Sequence, residues 1–193
     1  MGKTAETRER LQAAALDLFA SQGYHETTVA QIAARAGVSE MTFFRHFAVK
    51  EDSLLADPYD PLIAAAVAEQ PADLGVRQRV VRGVRAAWHA VPEPASEQVR
   101  QRVRIAAETP SLRAAIWRNS EATEQVIVAA LEADGTDRLG ARAAAAAVLA
   151  AITAALLEWA ASEDGELGPM VDRVLALLDD EPYLDRDSNG RRR

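Results

Sequence analysis

Side chains that could bind phosphate groups or the edges of nucleotide bases are concentrated between Thr27 and Lys50. The segment reads TTVAQIAARAGVSEMTFFRHFAVK and combines hydroxyl, carboxylate, imidazole, guanidinium and ammonium groups. Such groups form hydrogen bonds with the sugar–phosphate backbone and with base edges. A small helical hairpin with a solvated charged face is the alternative interpretation. The elements that carry these side chains decide between the two.

The first half of this segment predicts a short helix that ends in a tight turn. Thr28 is a good N-cap, and Gln31 three positions later completes a capping-box pattern. Four apolar residues then recur at helical spacing and form one face: Val29, Ile32, Ala33 and Ala36. Gly37 should end the helix, because glycine adopts the left-handed conformation without a steric penalty.

The second half predicts another short helix, Glu40 to His46, capped by Ser39. Phe43 and Phe47 are one turn apart and should anchor it to a core. Four residues are then expected to point outward: Glu40, Met41, Phe44 and Arg45. Three lie on the flanks, where backbone phosphates would pass: Thr42, His46 and Lys50. Helix, turn and short exposed helix together are the layout of a helix-turn-helix that enters the DNA major groove.

The segment from Arg8 to Leu55 resembles the TetR family of one-component transcriptional repressors. The similarity rests on an ordered set of residues near the N-terminus: Leu11, Ala15, Leu18, Phe19, Gly23-Tyr24, Thr27-Thr28-Val29, Ile32-Ala33, Ala36-Gly37-Val38-Ser39, Thr42, Phe43-Phe44-Arg45-His46-Phe47, Lys50-Glu51 and Leu54-Leu55. The resemblance implies a homodimer that binds a palindromic operator in double-stranded DNA and is released by a small molecule.

The same resemblance assigns roles to residues of the segment. Thr28, Thr42, His46 and Lys50 would contact phosphates, and Glu40, Met41 and Arg45 would face base edges. The full set of predicted DNA-binding residues is Thr28, Ser39, Glu40, Met41, Thr42, Phe44, Arg45, His46 and Lys50.

The sequence departs from the family pattern at three places that bear on DNA recognition. Phe44 replaces the usual tyrosine, so a thymine methyl group is a more natural partner than a phosphate. Glu40 is tolerable near DNA only if it accepts a hydrogen bond from a cytosine amino group. Ala48-Val49 replaces the usual Pro-Ser, and because valine cannot cap a helix, the start of the fourth helix should be less firmly fixed.

Composition predicts an all-α protein of about nine helices. Alanine is abundant, aromatic residues make up only 5% of the 193 residues, and no alternating apolar pattern stands out. The chain has no cysteine, which fits a reducing cytoplasm, and its N-terminal residues lack an apolar signal core. We therefore expect a cytoplasmic location and predict neither cofactor nor metal site.

The net charge of −7 is divided unevenly along the chain. Residues 1–50 contain six basic and five acidic residues, whereas the rest contains sixteen basic and twenty-four acidic residues, which gives +1 and −8. Repulsion should turn the acidic part away from DNA. We predict a DNA-binding domain at 1–50, a ligand-binding and dimerisation domain at 51–182, with its joint near Asp57–Pro61, and a disordered tail at 183–193.

The run from Ala143 to Leu157 is almost wholly apolar. It has fifteen residues between Arg142 and Glu158, fewer than the roughly 20 that a membrane helix needs, so we expect no membrane partner. An alanine-rich helix of this kind suits close packing against other helices. By the family resemblance, this helix and the next one would pair with their copies in a dimer, although packing within one chain would explain the same pattern.

Four residues in the middle of the chain are candidates for binding an effector: Trp88, Trp117, Asn119 and Thr123. Asn119 and Thr123 are polar residues on an otherwise apolar helix face, and buried polar groups need partners. The tryptophans could line a pocket or belong to the core. The region also resembles, more loosely, the C-terminal domain of mycofactocin-regulator-like TetR proteins, which implies a small apolar or acyl-type effector such as an acyl-coenzyme A. The phosphate groups of such a coenzyme A could bind three arginines: Arg102, Arg104 and Arg118. Alternatively, these arginines are ordinary surface residues.

Two other classes of function are weaker alternatives. An enzyme with a helical fold would need converging reactive groups, but the three histidines, His25, His46 and His89, show no metal-ligand spacing, and no catalytic sequence motif is present. A helical interaction module could instead use the N-terminal helices to bind another protein.

Overall fold

The computed structural model describes residues 2–55, 60–90, 96–162 and 166–179. Within these ranges the chain forms ten α-helices and no strand, so the predicted all-α class is confirmed. In chain order the helices are α1 (Lys3–Gln22), α2 (Val29–Arg35), α3 (Glu40–His46), α4 (Asp52–Leu55), α5 (Asp60–Ala68), α6 (Val76–His89), α7 (Ser96–Glu108), α8 (Pro110–Ala133), α9 (Arg138–Ala161) and α10 (Leu167–Leu178).

The predicted domain limits cannot be placed on this structure. The tail at 183–193 and most of the predicted joint at Asp57–Pro61 lie outside the described residues. The boundaries at residues 50 and 182 therefore stay predictions. The contacts of the chain instead define two compact units, each built from segments that are distant in sequence.

The first unit combines residues 1–58 with 94–122 and 160–163. Its core is an apolar cluster from α1, α2, α3, α4, α7 and the start of α8, formed by Leu11, Ala14, Ala15, Leu16, Phe19, Tyr24, Ile32, Ala33, Ala36, Phe43, Phe47, Leu54, Ala106 and Leu112. Burial of such side chains stabilises a fold by roughly 1.5–3 kcal/mol each. The short helices α2 and α3 thus depend on packing in this core for their stability.

Two arginines of α7 bind the carbonyl end of α9 inside the first unit. Arg100 Nη1 donates to Ser162 O at 2.8 Å, and Arg104 Nε donates to Ala160 O at 2.7 Å. The last carbonyls of a helix lack partners within it, so these guanidinium groups satisfy them.

The second unit combines residues 59–93, 123–159 and 164–193. Its buried side chains include Val67, Val80, Val84, Ile127, Leu131, Val148, Trp159, Val171 and Leu175. The buried Arg79 on α6 pairs with the Asp134 carboxylate after α8. On the surface of the same unit, His89 Nε2 lies 3.1 Å from Asp172 Oδ1, which connects α6 with α10.

Helices α5 and α6 approach each other most closely at Gly83, which is buried. A Cβ atom at this position would lie 2.5 Å from Val67 Cα and 2.7 Å from Val67 N. The absence of a side chain therefore allows the two backbones to touch, and it outweighs the cost of a glycine inside a helix.

Gly83→Ala should lower the free energy of unfolding by about 1–3 kcal/mol, because the added methyl group overpacks this contact. Urea denaturation followed by circular dichroism measures the change. The double variant Gly83→Ala/Val67→Ala should regain only part of the loss, since it removes the collision with Val67 Cγ2 but not those with the main-chain Cα and N. Wild-type stability of Gly83→Ala would show that the helices separate without cost.

Helix α9 is the one helix of the described residues that is long and apolar enough to cross a membrane. Core helices of soluble proteins have the same composition, and 39% of the relevant stretch is buried. Its length therefore does not assign it to a membrane.

Candidate nucleic-acid interface

Helix α2 begins with the predicted capping box. Thr28 Oγ1 accepts a hydrogen bond from Gln31 N at 3.2 Å, and Gln31 Oε1 accepts one from Thr28 N at 2.8 Å. Gln22 of α1 also donates to Gln31 Oε1, at 3.1 Å. After the helix, Gly37 has a φ of +69°, so the predicted left-handed turn residue is confirmed. These contacts fix the angle at which the chain enters α3.

Helix α3 has the predicted bounds, and its two phenylalanines anchor it. Ser39 Oγ accepts from Thr42 N at 3.2 Å and caps the helix. Phe43 and Phe47 are 0% and 2% exposed, and their ring centroids are 5.5 Å apart. A seven-residue helix is not stable alone, so these rings hold it on the core.

The opposite face of α3 is open to solvent. The four residues predicted to point outward are all exposed: Glu40, Met41, Phe44 and Arg45. Met41 is 74% exposed and Phe44 53%, values uncommon for large apolar side chains. The rings of Phe44 and Phe43 pack in a T-shaped arrangement, with centroids 5.5 Å apart and an angle of 85° between their planes. The exposed face thus presents apolar atoms together with a carboxylate and a guanidinium group.

The residues predicted to contact phosphates have different environments. Thr28 is exposed at the start of α2, while Thr42 and His46 are half-buried on the flank of α3. Lys50 is directed into the protein instead: its Nζ donates to Tyr24 O and to Thr27 O, both at 2.8 Å. The ammonium group also lies 3.9 Å from the centroid of the Tyr24 ring.

The surroundings of Lys50 affect two titratable groups. Desolvation lowers the pKa of Lys50, against the opposing influence of the Glu51 carboxylate. The pKa of Tyr24 is raised, mainly by burial and to a smaller extent by its hydrogen bond to Glu51. The loop ahead of α2 is therefore held by a partly desolvated cation. Sequence reasoning missed this contact, because it joins residues 26 and 23 positions apart.

Two side-chain hydrogen bonds lie at the start of α4. Val49 has no capping side chain, but Asp52 Oδ2 accepts a hydrogen bond from Val49 N at 3.2 Å, as in the reciprocal half of a capping box. Ser53 Oγ adds a bond to Lys50 O at 2.6 Å. The prediction of a less firmly fixed start considered only the capping position and did not include these bonds; it stays a prediction.

The candidate effector residues have different environments in the described part of the chain. Asn119 is half-buried in the first unit and donates from Nδ2 to Leu55 O at 2.9 Å. In the second unit Thr123 is buried and Trp88 half-buried, while the side chain of Trp117 lies outside the described residues. A cavity of about 200 Å³ between α4 and α8 is lined by Val49, Glu51, Asp52, Leu55, Ala115, Arg118 and Asn119.

The three arginines that were suggested to bind phosphate groups differ in exposure and in hydrogen-bond partners. Arg104 is bound to carbonyls of α9, and Arg102 is half-buried and has partners of its own. Arg118 is exposed at the edge of the cavity. Only Arg118 of the three is therefore placed to meet a ligand without losing these contacts.

Comparison with known proteins gives matches along most of the chain. Residues 11–56 match the family described as bacterial regulatory proteins, tetR family, and residues 74–181 match the MftR C-terminal domain. The transcriptional regulator TcmR of Streptomyces glaucescens is 37% identical over 129 residues, which cover 63% of this chain and 57% of TcmR. The chain thus spans little more than half of that curated relative.

Solved structures of other regulators are similar in fold to this chain. A TetR-family regulator from Syntrophomonas wolfei has a TM-score of 0.59 at 21% identity, with 91% of this chain and 94% of that one covered. NalD, a repressor of the MexAB-OprM efflux pump in Pseudomonas aeruginosa, has a TM-score of 0.56 at 20% identity, with coverage of 92% and 95%. With both of its parts matched, this chain belongs to the tetR family of bacterial regulatory proteins.

Proposed function

We propose that the protein is a ligand-responsive transcriptional repressor that binds a palindromic operator in double-stranded DNA as a homodimer. The observation that carries the proposal is the two-sidedness of α3. Phe43 and Phe47 fix one face of the helix to the core, while Met41 and Phe44 are exposed on the other. A short helix that is rigidly held and protrudes from a core fits the major groove.

Base reading would come from the exposed face of α3. Arg45 would donate to a guanine, Glu40 would accept from a cytosine amino group, and Phe44 would contact a thymine methyl group. Met41 would pack beside these contacts. The edge-on packing of Phe44 against Phe43 supports its role, since a fixed ring selects a methyl group better than a mobile one.

Phosphate binding would come from the flanks of the same helices. The hydroxyl groups of Thr28 and Thr42 and the imidazole of His46 are the proposed contacts, with Ser39 acting through its cap. Lys50 donates two of its three N–H groups to carbonyls, so at most one is left for a phosphate. The near-neutral charge of residues 1–50 favours approach of this end of the chain to DNA.

Dimerisation is proposed on α9 and α10. The proposal rests on the family, and on each of these helices one leucine is available for such a contact: Leu139 on α9 is 78% exposed and Leu177 on α10 is 69% exposed. A dimer would place two copies of α3 on successive major-groove faces, about 34–36 Å apart or a multiple of that distance. An effector that changes this separation would release the DNA.

The effector is proposed to be a small apolar or acyl-type molecule, and an acyl-coenzyme A is the specific candidate. Typical ligand pockets measure roughly 300–1,000 Å³, more than the cavity beside Asn119. Trp88 and Thr123, both of the second unit, stay proposed contacts for an apolar ligand, whereas Asn119 already donates to Leu55 O and holds α4. Arg118 is the proposed partner for a phosphate group, although Glu51 and Asp52 on the same cavity oppose it.

The alternative functions receive less support. The family to which the chain belongs and its relative TcmR are regulators rather than enzymes. If the protein were instead an interaction module that binds another protein through α3, it would not bind a selected DNA duplex. Location in the cytoplasm, where the DNA is, follows from the proposed function.

A mobility-shift titration tests the proposal. The duplex is selected from a randomised library with purified protein and titrated at two salt concentrations. A palindromic duplex whose affinity falls steeply with salt is the expected result, because phosphate contacts release counterions. Tight binding that does not change with salt, or no duplex selected, would contradict DNA binding through phosphates.

Arg45→Ala should weaken binding to the selected duplex by about 1–3 kcal/mol, since a bidentate contact to a base is lost. The matched control is Arg35→Ala on α2, where the guanidinium group pairs with Asp17 at 2.9 Å. The control loses the same charge but no base contact, so its affinity should change much less. Equal affinities of the two variants would remove Arg45 from the recognition surface.

A further inference from the structure

Besides the shared apolar core, the side chain of Arg8 on α1 contacts the C-terminal end of α3. Arg8 Nη1 donates to His46 O at 3.1 Å, and the Arg8 guanidinium carbon lies 4.6 Å from the centroid of the Phe47 ring. His46 is the last residue of α3 and Phe47 is its C-cap. One side chain therefore binds both the final carbonyl of the helix and the ring that follows it.

The physical effect of this contact is to fix the C-terminal end of α3. The last carbonyls of a helix lack partners within it and carry partial negative charge, so a cation is stabilising there. A cation over an aromatic ring adds a second attraction. The N-terminal end of α3 is held by Ser39 and the middle by Phe43. Without Arg8, the end that carries Arg45 and His46 would have one contact fewer to the core.

We propose that Arg8 is a positioning residue for DNA recognition. It acts through α3, whose orientation it fixes, and it does not itself bind a phosphate. The inference rests on the proposed function, because it concerns how precisely that helix meets base edges. Binding groups must be placed within about 0.5 Å, and only contacts to base edges carry sequence information. A misplaced α3 should therefore lose affinity for the selected duplex more than for other duplexes.

Salt dependence separates a positioning role from a phosphate contact. Each phosphate contact contributes about 0.9 to the slope of log affinity against log salt. Loss of a phosphate-binding arginine therefore lowers the slope and weakens binding to every duplex. Loss of a positioning arginine leaves the slope unchanged and weakens binding to the selected duplex more than to a scrambled one.

The experiment compares Arg8→Leu, Arg8→Lys and Arg10→Leu. Arg10 is the matched control, since it is exposed on the same helix and its loss removes the same charge. Affinities for the selected and the scrambled duplex are measured over a range of salt. Arg8→Leu should reduce the selected-to-scrambled ratio roughly tenfold, the equivalent of one charge-assisted contact. Arg8→Lys should recover part of that ratio, and Arg10→Leu should leave it unchanged.

Hydrogen exchange keeps the test independent of stability. The amide of Phe47, which donates to Phe43 O, should exchange faster in Arg8→Leu, while amides of α1 around Leu11 keep wild-type protection. Loss of protection throughout the first unit, or a slope lowered by about 0.9 with the ratio intact, would overturn the proposal. An unchanged ratio and unchanged exchange would overturn it equally. Wild-type protein that selects no duplex would instead refute the proposed function, and exchange at Phe47 would still report on the contact.

Discussion

Replacement of Phe43 by alanine is expected to lower the free energy of unfolding by about 3–5 kcal/mol. Phe43 is fully buried in the core of the first unit, against Phe47 and the residues of α1, so its loss leaves a cavity. Binding to the selected duplex should be lost at the same time, because the anchor of α3 is gone. Chemical denaturation followed by circular dichroism measures the first effect, and a mobility shift measures the second.

The neighbouring residue gives the control for this result. Phe44→Ala removes the same ring from the exposed side of the same helix, so stability should change by less than about 0.5 kcal/mol. Its affinity for DNA should nevertheless fall if the ring contacts a thymine methyl group. If Phe43→Ala keeps wild-type stability, or if Phe44→Ala is the more destabilised of the two, the orientation of α3 described above is wrong.

Replacement of Lys50 by methionine is expected to destabilise the protein by about 2–4 kcal/mol, since two hydrogen bonds to a charged donor and one cation–π contact are lost. The carbonyls that accept these bonds belong to Tyr24 and Thr27, at the start and end of the loop that leads to the N-cap Thr28. The loop ahead of α2 should therefore loosen, and DNA affinity should decrease through misplacement of the helix. Thermal unfolding and a salt-dependent binding titration measure the two effects.

Lys3 is the control, because the chain contains only two lysines. Lys3 is exposed, so Lys3→Met should be close to wild type in stability. Amine acetylation with mass detection adds an independent measurement, in which Lys50 should react more slowly than Lys3. A stable Lys50→Met variant whose only defect is a salt slope lowered by about 0.9 would show that Lys50 binds a phosphate, as the sequence suggests.

The features of residues 1–50 that depend on neighbouring positions in the sequence could be predicted. The capping box at Thr28 and Gln31, the turn at Gly37 and the limits of α3 depend on residues no more than four positions apart. The burial of Phe43 and the exposure of Phe44 follow from helical periodicity. Patterns of this kind depend on neighbouring residues in the sequence, and the structure confirms them.

The direction of long cationic side chains could not be predicted. Arg8, Lys50 and Arg104 bind carbonyls that are 38, 26 and 56 residues away, respectively. Their flexible stems allow the charge to point either to solvent or to a backbone group, and no local pattern distinguishes the two. A basic residue near a DNA-binding helix therefore suggests a phosphate contact from sequence even where it holds the protein together.

The backbone contact at Gly83 restricts how the second unit can deform. With no side chain between the two backbones at Gly83, a movement of α5 toward α6 would bring main-chain atoms of Val67 against the backbone of α6. We therefore expect the two helices to move together and not closer to each other at this point. A small molecule that displaces one of these helices toward the other should therefore displace both.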